Sequence, residues 1–180
     1  MGDSREVVIF CASADNTDNR YEEAGAHLVE RLCKEGYGIV SGGSFRGLMG
    51  VVADNVVRFG GHHRGVIPHF MSQYVYPQLD ETNWTDTMSQ RKEKMRENTI
   101  AAVALPGGIG TMDELMETYT LAKLGRYSGK VLALNTDGFY ADLKNMLDFF
   151  VRKNLLSVND RNIIKFADTP EELMAFLNEG

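Results

Sequence analysis

The stretch Leu105-Pro106-Gly107-Gly108-Ile109-Gly110-Thr111-Met112-Asp113-Glu114 constrains this chain most. Ahead of it, Ile100-Ala101-Ala102-Val103-Ala104 reads as a buried strand. Behind it, Leu115, Met116, Tyr119, Leu121 and Ala122 mark a helix. A glycine-rich turn between a buried strand and a helix is where α/β proteins hold phosphate. Glycines let the backbone approach an anion, the first helical turn supplies amide donors, and the helix dipole favours negative charge. The glycines of this turn, Gly107, Gly108 and Gly110, are therefore candidates for an anion cradle. A carboxylate one turn beyond it, Glu114, is placed to act on whatever the anion is attached to.

The rest of the chain repeats the alternation. Val7 to Cys11, Tyr37 to Val40, Gly65 to Pro68, Trp84 to Met88, 130–135 and 162–166 read as further strands. Helical patterns cover Asn16 to Glu35, Met49 to Val57, Ser89 to Asn98, 111–124, 138–153 and 170–178, and 69–82 reads as a loop. Strands alternating with helices imply parallel pairing through right-handed crossovers. The expected fold class is α/β: one Rossmann-like, doubly wound, mostly parallel sheet flanked by helices, over 1–180. Ligands on such sheets bind beyond the strand carboxyl ends. The loops after Cys11, Val40 and Leu105 all lie there.

Composition narrows the partners. Hydrophobic residues make up 43% of the chain and charged residues 24%, which suits an ordinary globular domain. A net charge of -6 implies no basic surface for nucleic acid. Cys11 and Cys33 suggest neither a disulfide framework nor a metal cluster and read as buried small hydrophobes. No apolar run spans a membrane, no signal-peptide pattern is visible, and Glu6 stands where a Gly2 myristoylation signal wants Ser or Thr, so a cytoplasmic location is expected.

Individual motifs carry two readings each. Thr111-Met112-Asp113-Glu114 fits a capping box, as does Thr169-Pro170-Glu171-Glu172. Taken alone, Glu114 is equally cap or catalyst; the preceding glycines favour chemistry, because a cap does not need them. Ser41 to Gly47 lacks both the dinucleotide fingerprint and the Walker lysine, and reads as a tight turn in which Arg46 faces an anion or solvent. In Met88 to Arg96, Lys92, Lys94 and Arg96 read as a solvated face, while Met88, Met95 and Thr99 supply a buried stripe. Arg91 near the helix start opposes the dipole by about 0.3–1 kcal/mol, which points to an anionic partner. Ser13 is a ligand donor or a plain turn residue. His62 and His63 read as solvent-facing, no histidine shows metal-ligand spacing, and nothing marks a cofactor lysine. No cofactor and no metal are expected.

Pro106 to Glu114 matches P-G-G-x-G-T-x-x-E, and with this the chain resembles the LOG (LONELY GUY) family of phosphoribohydrolases. The likeness extends through Phe10-Cys11-Ala12-Ser13, Gly42-Gly43 with Gly47-Leu48-Met49-Gly50, Gly65-Val66-Ile67-Pro68, Met88 with Arg91-Lys92, and Leu134-Asn135 with Gly138-Phe139-Tyr140. The resemblance implies hydrolysis of the N-glycosidic bond of a cytokinin-type or AMP-like nucleoside 5′-monophosphate. It implies that Gly107, Gly108, Gly110 and Thr111 hold the phosphate and that Arg91 and Glu114 act at the bond. Ser13, Met88, Lys92 and Glu117 would line the nucleotide, and the chain would work as a homodimer. Members are often labelled lysine decarboxylases, a chemistry these residues do not support. Ser89, Ala12, Ser41 and Ser44 depart from the family pattern, and Leu121 to Lys130 lose its tryptophan, glutamine and histidine. The phosphate and glycosidic positions are kept, whereas the surroundings of the base differ. A non-catalytic nucleotide binder of the same fold, such as a molybdenum-cofactor carrier, or a nucleotide sensor, is the alternative.

Overall fold

The computed structural model describes residues 5–179; Gly2 and the rest of 1–4 lie outside the described residues. Seven strands form one sheet: β1 (Glu6–Phe10), β2 (Gly38–Ser41), β3 (His63–Pro68), β4 (Glu81–Thr85), β5 (Thr99–Ala104), β6 (Lys130–Leu134) and β7 (Ile164–Ala167). Their spatial order is β4-β3-β2-β1-β5-β6-β7, and every pairing is parallel. The connections run through α1 (Asn19–Lys34), α2 (Gly47–Arg58), α3 (Met88–Arg96), α4 (Ile109–Lys123), α5 (Ala141–Arg152), α6 (Val158–Arg161) and α7 (Pro170–Asn178).

Helices cover both faces, so the central strands are apolar without alternation. Val7, Val8, Ile9 and Phe10 are all buried, as are Ala101 to Ala104. Strand pleating sends Val7 and Ile9 into the layer under α1, α2 and α7, with Leu28, Leu32, Leu48, Val52 and Leu173. Val8 and Phe10 point the other way, to Met95 of α3. Leu115, Tyr119, Leu143 and Leu147 close the remaining layer over Val131 and Ala133.

From β1 the chain winds outward to β4, then returns across the sheet to β5 on the other side of β1. The switch in strand order therefore falls between β1 and β5, and their carboxyl ends open a crevice there. Gly47, at the start of α2, packs against the backbone of the loop after β1, at Ser13 and Ala14. Its φ is +54°, and a Cβ at this position would stand 2.4 Å from the Ala14 carbonyl oxygen. Gly47→Ala should lower unfolding free energy by about 2–3 kcal/mol, through left-handed strain and backbone overlap. Urea unfolding measures this as a lower midpoint at unchanged slope.

Three local expectations shift. The fourth strand lies earlier, at Glu81–Thr85, and the expected loop after Pro68 opens with a 3-10 helix, His69–Tyr74. The first helix starts at Asn19 with Asp18 as its cap, because Asn16 takes a left-handed φ of 61°. His63 is not solvent-facing; it begins β3, is fully buried, and its Nε2 lies 2.8 Å from Ser41 Oγ.

Candidate active site

The helix after the glycine-rich turn begins earlier than its apolar pattern suggests. Gly108 is the N-cap of α4, in an extended conformation and with no side-chain cap. Thr111 already lies inside the helix, so the expected capping box from Thr111 to Glu114 does not form. The glycines explain the early start: they carry the chain into the helix without a side chain over its first amides. A Cβ on Gly107 would stand 2.1 Å from Thr111 Oγ1, so glycine there makes room for the buried threonine. Glu114 follows on the inner face of α4, and Thr118 Oγ1 donates to its carbonyl at 2.7 Å.

The start of α3 is fixed by a true capping box. Thr87 Oγ1 accepts from the Gln90 amide at 3.2 Å, and Gln90 Oε1 accepts from the Thr87 amide at 3.2 Å. One residue later, Arg91 turns into the core. Its Nε donates to the Val66 carbonyl at 3.0 Å and its Nη2 to the Gly42 carbonyl at 3.3 Å. The remaining Nη1 faces Glu114 Oε1 at 3.5 Å, and the two side chains are only 7% and 10% exposed. The anionic partner foreshadowed by a cation at a helix start is thus supplied, at least in part, by the protein itself.

Arg91 and Glu114 stand in a cleft of about 310 Å³ at the switch point. Ser13, Met88, Gly108, Gly110 and Thr111 share its walls, while Lys92, Gly107 and Glu117 do not line it. Cys11, Gly42, Met49, Met71 and Met95 also form part of the walls, with the chain from Ile9 to Ala14 and Ile109. The first five were not singled out for the site beforehand. Their position at strand ends is the signal for Cys11 and Gly42, whereas Met49 and Met95 read only as helix-packing positions and Met71 falls in the expected loop 69–82. A larger groove of about 920 Å³ lies along the outer side of α3 and α4, between Trp84, Arg96, Glu117 and Tyr127. It contains neither Arg91 nor Glu114, so the smaller cleft is the chemically equipped one.

Lys92 and Arg96 are not the solvated face that their sequence suggests. Lys92 Nζ lies 2.9 Å from Asp113 Oδ2 and 2.9 Å from Glu117 Oε2, and Arg96 Nη1 donates to Glu117 Oε2 at 3.2 Å. Arg46 pairs with Asp15 at 2.8 Å across the rim, where its guanidinium lies over the Tyr74 ring. Among the described residues, no group of His, Cys, Asp and Glu is arranged to hold a metal ion, and no helix is long and apolar enough to cross a membrane.

Burial dominates the electrostatics. It pushes the Glu114 carboxyl up to about 7, against the opposing pull of Arg91. Burial also lowers the Arg91 guanidinium, with Glu114 acting to raise it, yet an arginine stays cationic at neutral pH. The Cys11 thiol is pushed well up by burial and then by Glu114, so it remains protonated and is no nucleophile. The cleft thus presents a fixed cation beside a carboxyl whose two protonation states are both populated near neutrality.

This carboxyl makes stability depend on pH. An unfolded glutamate loses its proton near 4.5, whereas folded Glu114 keeps it up to about 7. Stability from the protonated form is therefore full below about 4.5 and is lost as pH rises through about 7. His63 has the opposite sign. Burial depresses it to about 4, so its contribution is lost as pH falls from 6.5 through that value. Comparison with Glu114→Gln cancels the histidine. Between pH values of about 5 and 8, wild type should lose on the order of 3 kcal/mol relative to the variant, read by urea unfolding. A constant difference would mean that the carboxyl is not held protonated by burial.

A family model described as "Possible lysine decarboxylase" matches residues 49–177. The rice protein named probable cytokinin riboside 5′-monophosphate phosphoribohydrolase LOGL3 (Oryza sativa subsp. japonica) is 36% identical over 177 residues, covering 97% of this chain and 84% of its own. The Arabidopsis thaliana cytokinin riboside 5′-monophosphate phosphoribohydrolase LOG3 is 35% identical, over 97% of this chain and 82% of its own. Among solved structures, the molybdenum cofactor carrier protein of Chlamydomonas reinhardtii superposes with a TM-score of 0.73 at 17% identity, over 96% of this chain and 95% of that one. That likeness concerns the fold alone. The sequence matches go further: this chain belongs to the LOG-type family, whose model carries the lysine decarboxylase description and whose named relatives are cytokinin riboside 5′-monophosphate phosphoribohydrolases.

Proposed function

We propose that this protein hydrolyses the N-glycosidic bond of a purine nucleoside 5′-monophosphate, AMP or a cytokinin-type relative, to free base and ribose 5-phosphate. The observation that carries this reading is the buried Arg91–Glu114 pair, 3.5 Å apart, in a cleft that also holds the uncapped start of α4. The amides of Ile109, Gly110 and Thr111 hold the phosphate, with the helix dipole behind them and Ser13 beside it. Glu114 lies four residues beyond Gly110, about 6 Å along the helix axis at ~1.5 Å per residue. That rise matches the scale of the distance from a 5′-phosphate to C1′.

In the reaction the C1′–N bond breaks and its electron pair leaves with the base. Positive charge builds on the ribose ring, as in glycoside hydrolysis. Ionised Glu114 faces that charge and orients the water that adds to C1′; the water's proton passes through the carboxylate to the base. Arg91 holds Glu114 in register, itself fixed by two backbone carbonyls. Met88, Met71 and Met49 give the base an apolar, adaptable wall. The cleft's own groups suffice for this chemistry without a cofactor. The same reading carries a homodimer and a cytoplasmic location; light scattering should return twice the chain mass, and a monomer mass would remove the dimer.

A carrier of the same fold needs the cradle but not the acid–cation pair, which favours catalysis here. The phosphate grip is testable by comparing AMP with adenosine. Remote binding energy positions the sugar, so adenosine should react at least about a thousandfold less efficiently in kcat/KM. Equal rates on both would remove the cradle from the mechanism.

A further inference from the structure

Arg91 and Glu114 stand on different helices, and each is the chain neighbour of a residue that ties those helices together. Lys92 follows Arg91 on α3, and Asp113 precedes Glu114 on α4. Lys92 contacts Asp113 and Glu117, each at 2.9 Å, and Arg96 reaches Glu117 at 3.2 Å. Two cations spaced i, i+4 on α3 thus face two carboxylates spaced i, i+4 on α4. The Lys92 and Arg96 side chains are only 14% and 8% exposed. Glu117 is 36% exposed and Asp113 56%, so the contacts to Glu117 are the sheltered arm of the cluster and the Lys92–Asp113 contact the more screened one. None of the four lines the catalytic cleft. α3 rests mainly on β3 and β4 and α4 mainly on β5 and β6, and the four charges add a direct link from one helix to the other.

We propose that this four-charge clamp positions the Arg91–Glu114 pair and sets the electrostatic field at the Glu114 carboxyl, so that Lys92, Arg96, Asp113 and Glu117 are positioning residues that act without touching substrate. The proposal deepens the N-glycosidase reading and rests on it for its catalytic consequence. The resemblance to the family puts Lys92 and Glu117 against the nucleotide; here they are satisfied by each other. The hydrogen bonds that Lys92 donates to Glu117 and Asp113 hold its ammonium above the ordinary lysine value. Burial pushes Glu117 up, but Lys92 and Arg96 outweigh it and hold its carboxyl below the usual range. The groups facing Glu114 are Arg91, Lys92 and Arg96 from α3, Asp113 from its own helix, and the neutral Cys11 thiol from the end of β1. The clamp carries two charges of each sign. Loss of a cation leaves a net negative cluster beside Glu114, and loss of a carboxylate leaves a net positive one. These changes favour its protonated and ionised forms respectively.

The test titrates the Glu114 carboxyl directly, by NMR of protein labelled with 13C at the glutamate δ carbons and assigned with Glu114→Gln. Arg96→Met should move its midpoint upward and Glu117→Gln downward, each by on the order of half a pH unit, and Arg96→Lys should restore it. In turnover, Arg96→Met and Glu117→Gln should lower kcat about tenfold while KM for AMP stays within about twofold. Midpoints that stay put, or that move the same way in both variants, overturn the proposal. So does a rise in KM at unchanged kcat, which would return Lys92 and Glu117 to the substrate. Should Arg96→Met fail to fold, Lys92→Gln removes the other cation and carries the same upward shift. The titration needs no turnover: opposite shifts in a protein that releases no base would sink the N-glycosidase reading alone and leave the clamp standing.

Discussion

Glu114→Gln should lower kcat for base release about a thousandfold, near 4 kcal/mol of barrier, while AMP binding stays almost unchanged. The amide keeps the shape of the side chain and a hydrogen-bonding oxygen toward Arg91. It removes the negative charge that the ribose cation needs and the basicity that takes a proton from water. Because this charge matters only when positive charge builds at C1′, its loss falls on the transition state and not on the ground state. Calorimetric binding of AMP to the variant, beside single-turnover release of adenine, separates the two. Wild-type kcat/KM should also fall on the acid side of about 7, where Glu114 of the free enzyme takes up its proton, and the variant should lack that limb. A variant that turns over normally, or one that no longer binds AMP, contradicts the assignment.

Gly42→Ala should be nearly as damaging to activity, although it adds a single methyl group outside the pair. A Cβ at Gly42 would stand 2.1 Å from Arg91 Nη2 and 2.9 Å from Met49 Sδ. The neighbour that must yield first is the tip of Arg91, a flexible side chain, so the fold survives. The guanidinium does not keep its place. Swinging it away breaks the bond to the Gly42 carbonyl and displaces the cation that faces Glu114. A shift on this scale within a reacting constellation is expected to cost on the order of a hundredfold in kcat. The variant should keep its circular dichroism spectrum and lose base release. Full activity would mean that Arg91 does not need this position; global unfolding would mean that Gly42 serves the fold and not the pair.

The physical origin of these two effects also explains which parts of the molecule were legible beforehand. Val7 to Phe10 and Ala101 to Ala104 could be read as central strands because both of their faces are covered, which leaves an unbroken apolar run. β4 could not be read in register. It is an edge strand, Glu81 to Thr85, whose half-exposed polar residues carry no such run, so Trp84 drew the expectation several residues too late. The start of α4 was misplaced because periodicity begins only where side chains pack, whereas Gly108 and Ile109 enter the helix before anything is buried. The Thr87–Gln90 capping box was visible as a Thr-x-x-Gln spacing and would have set the start of α3.

Charge was the harder signal. Lys92 and Arg96 look like any solvated helical face until α4 brings Asp113 and Glu117 opposite them. A cation's environment is decided by a helix twenty residues away in the chain, roughly two elements further along. Arg91 is the exception, because a lone cation near a helix start is locally unfavourable and asks for a partner. That Glu114 is this partner depends on the crossover that sets α3 and α4 on the same face of the sheet, something only the resemblance anticipated. Gly42 and Gly47 likewise read as turn residues, and only their neighbours, Arg91 and the Ala14 carbonyl, reveal why no side chain fits.

The central claim is that one cleft grips a 5′-phosphate and delivers Glu114 to the glycosidic carbon. Phosphorus NMR of wild-type protein with AMP tests it most directly, with chromatography of the same sample for free base. The expected result is conversion of the AMP resonance to that of ribose 5-phosphate, with one adenine released for each. A protein that binds AMP tightly yet leaves both resonance and nucleotide unchanged would contradict the account and identify the cleft as a nucleotide-binding site without turnover.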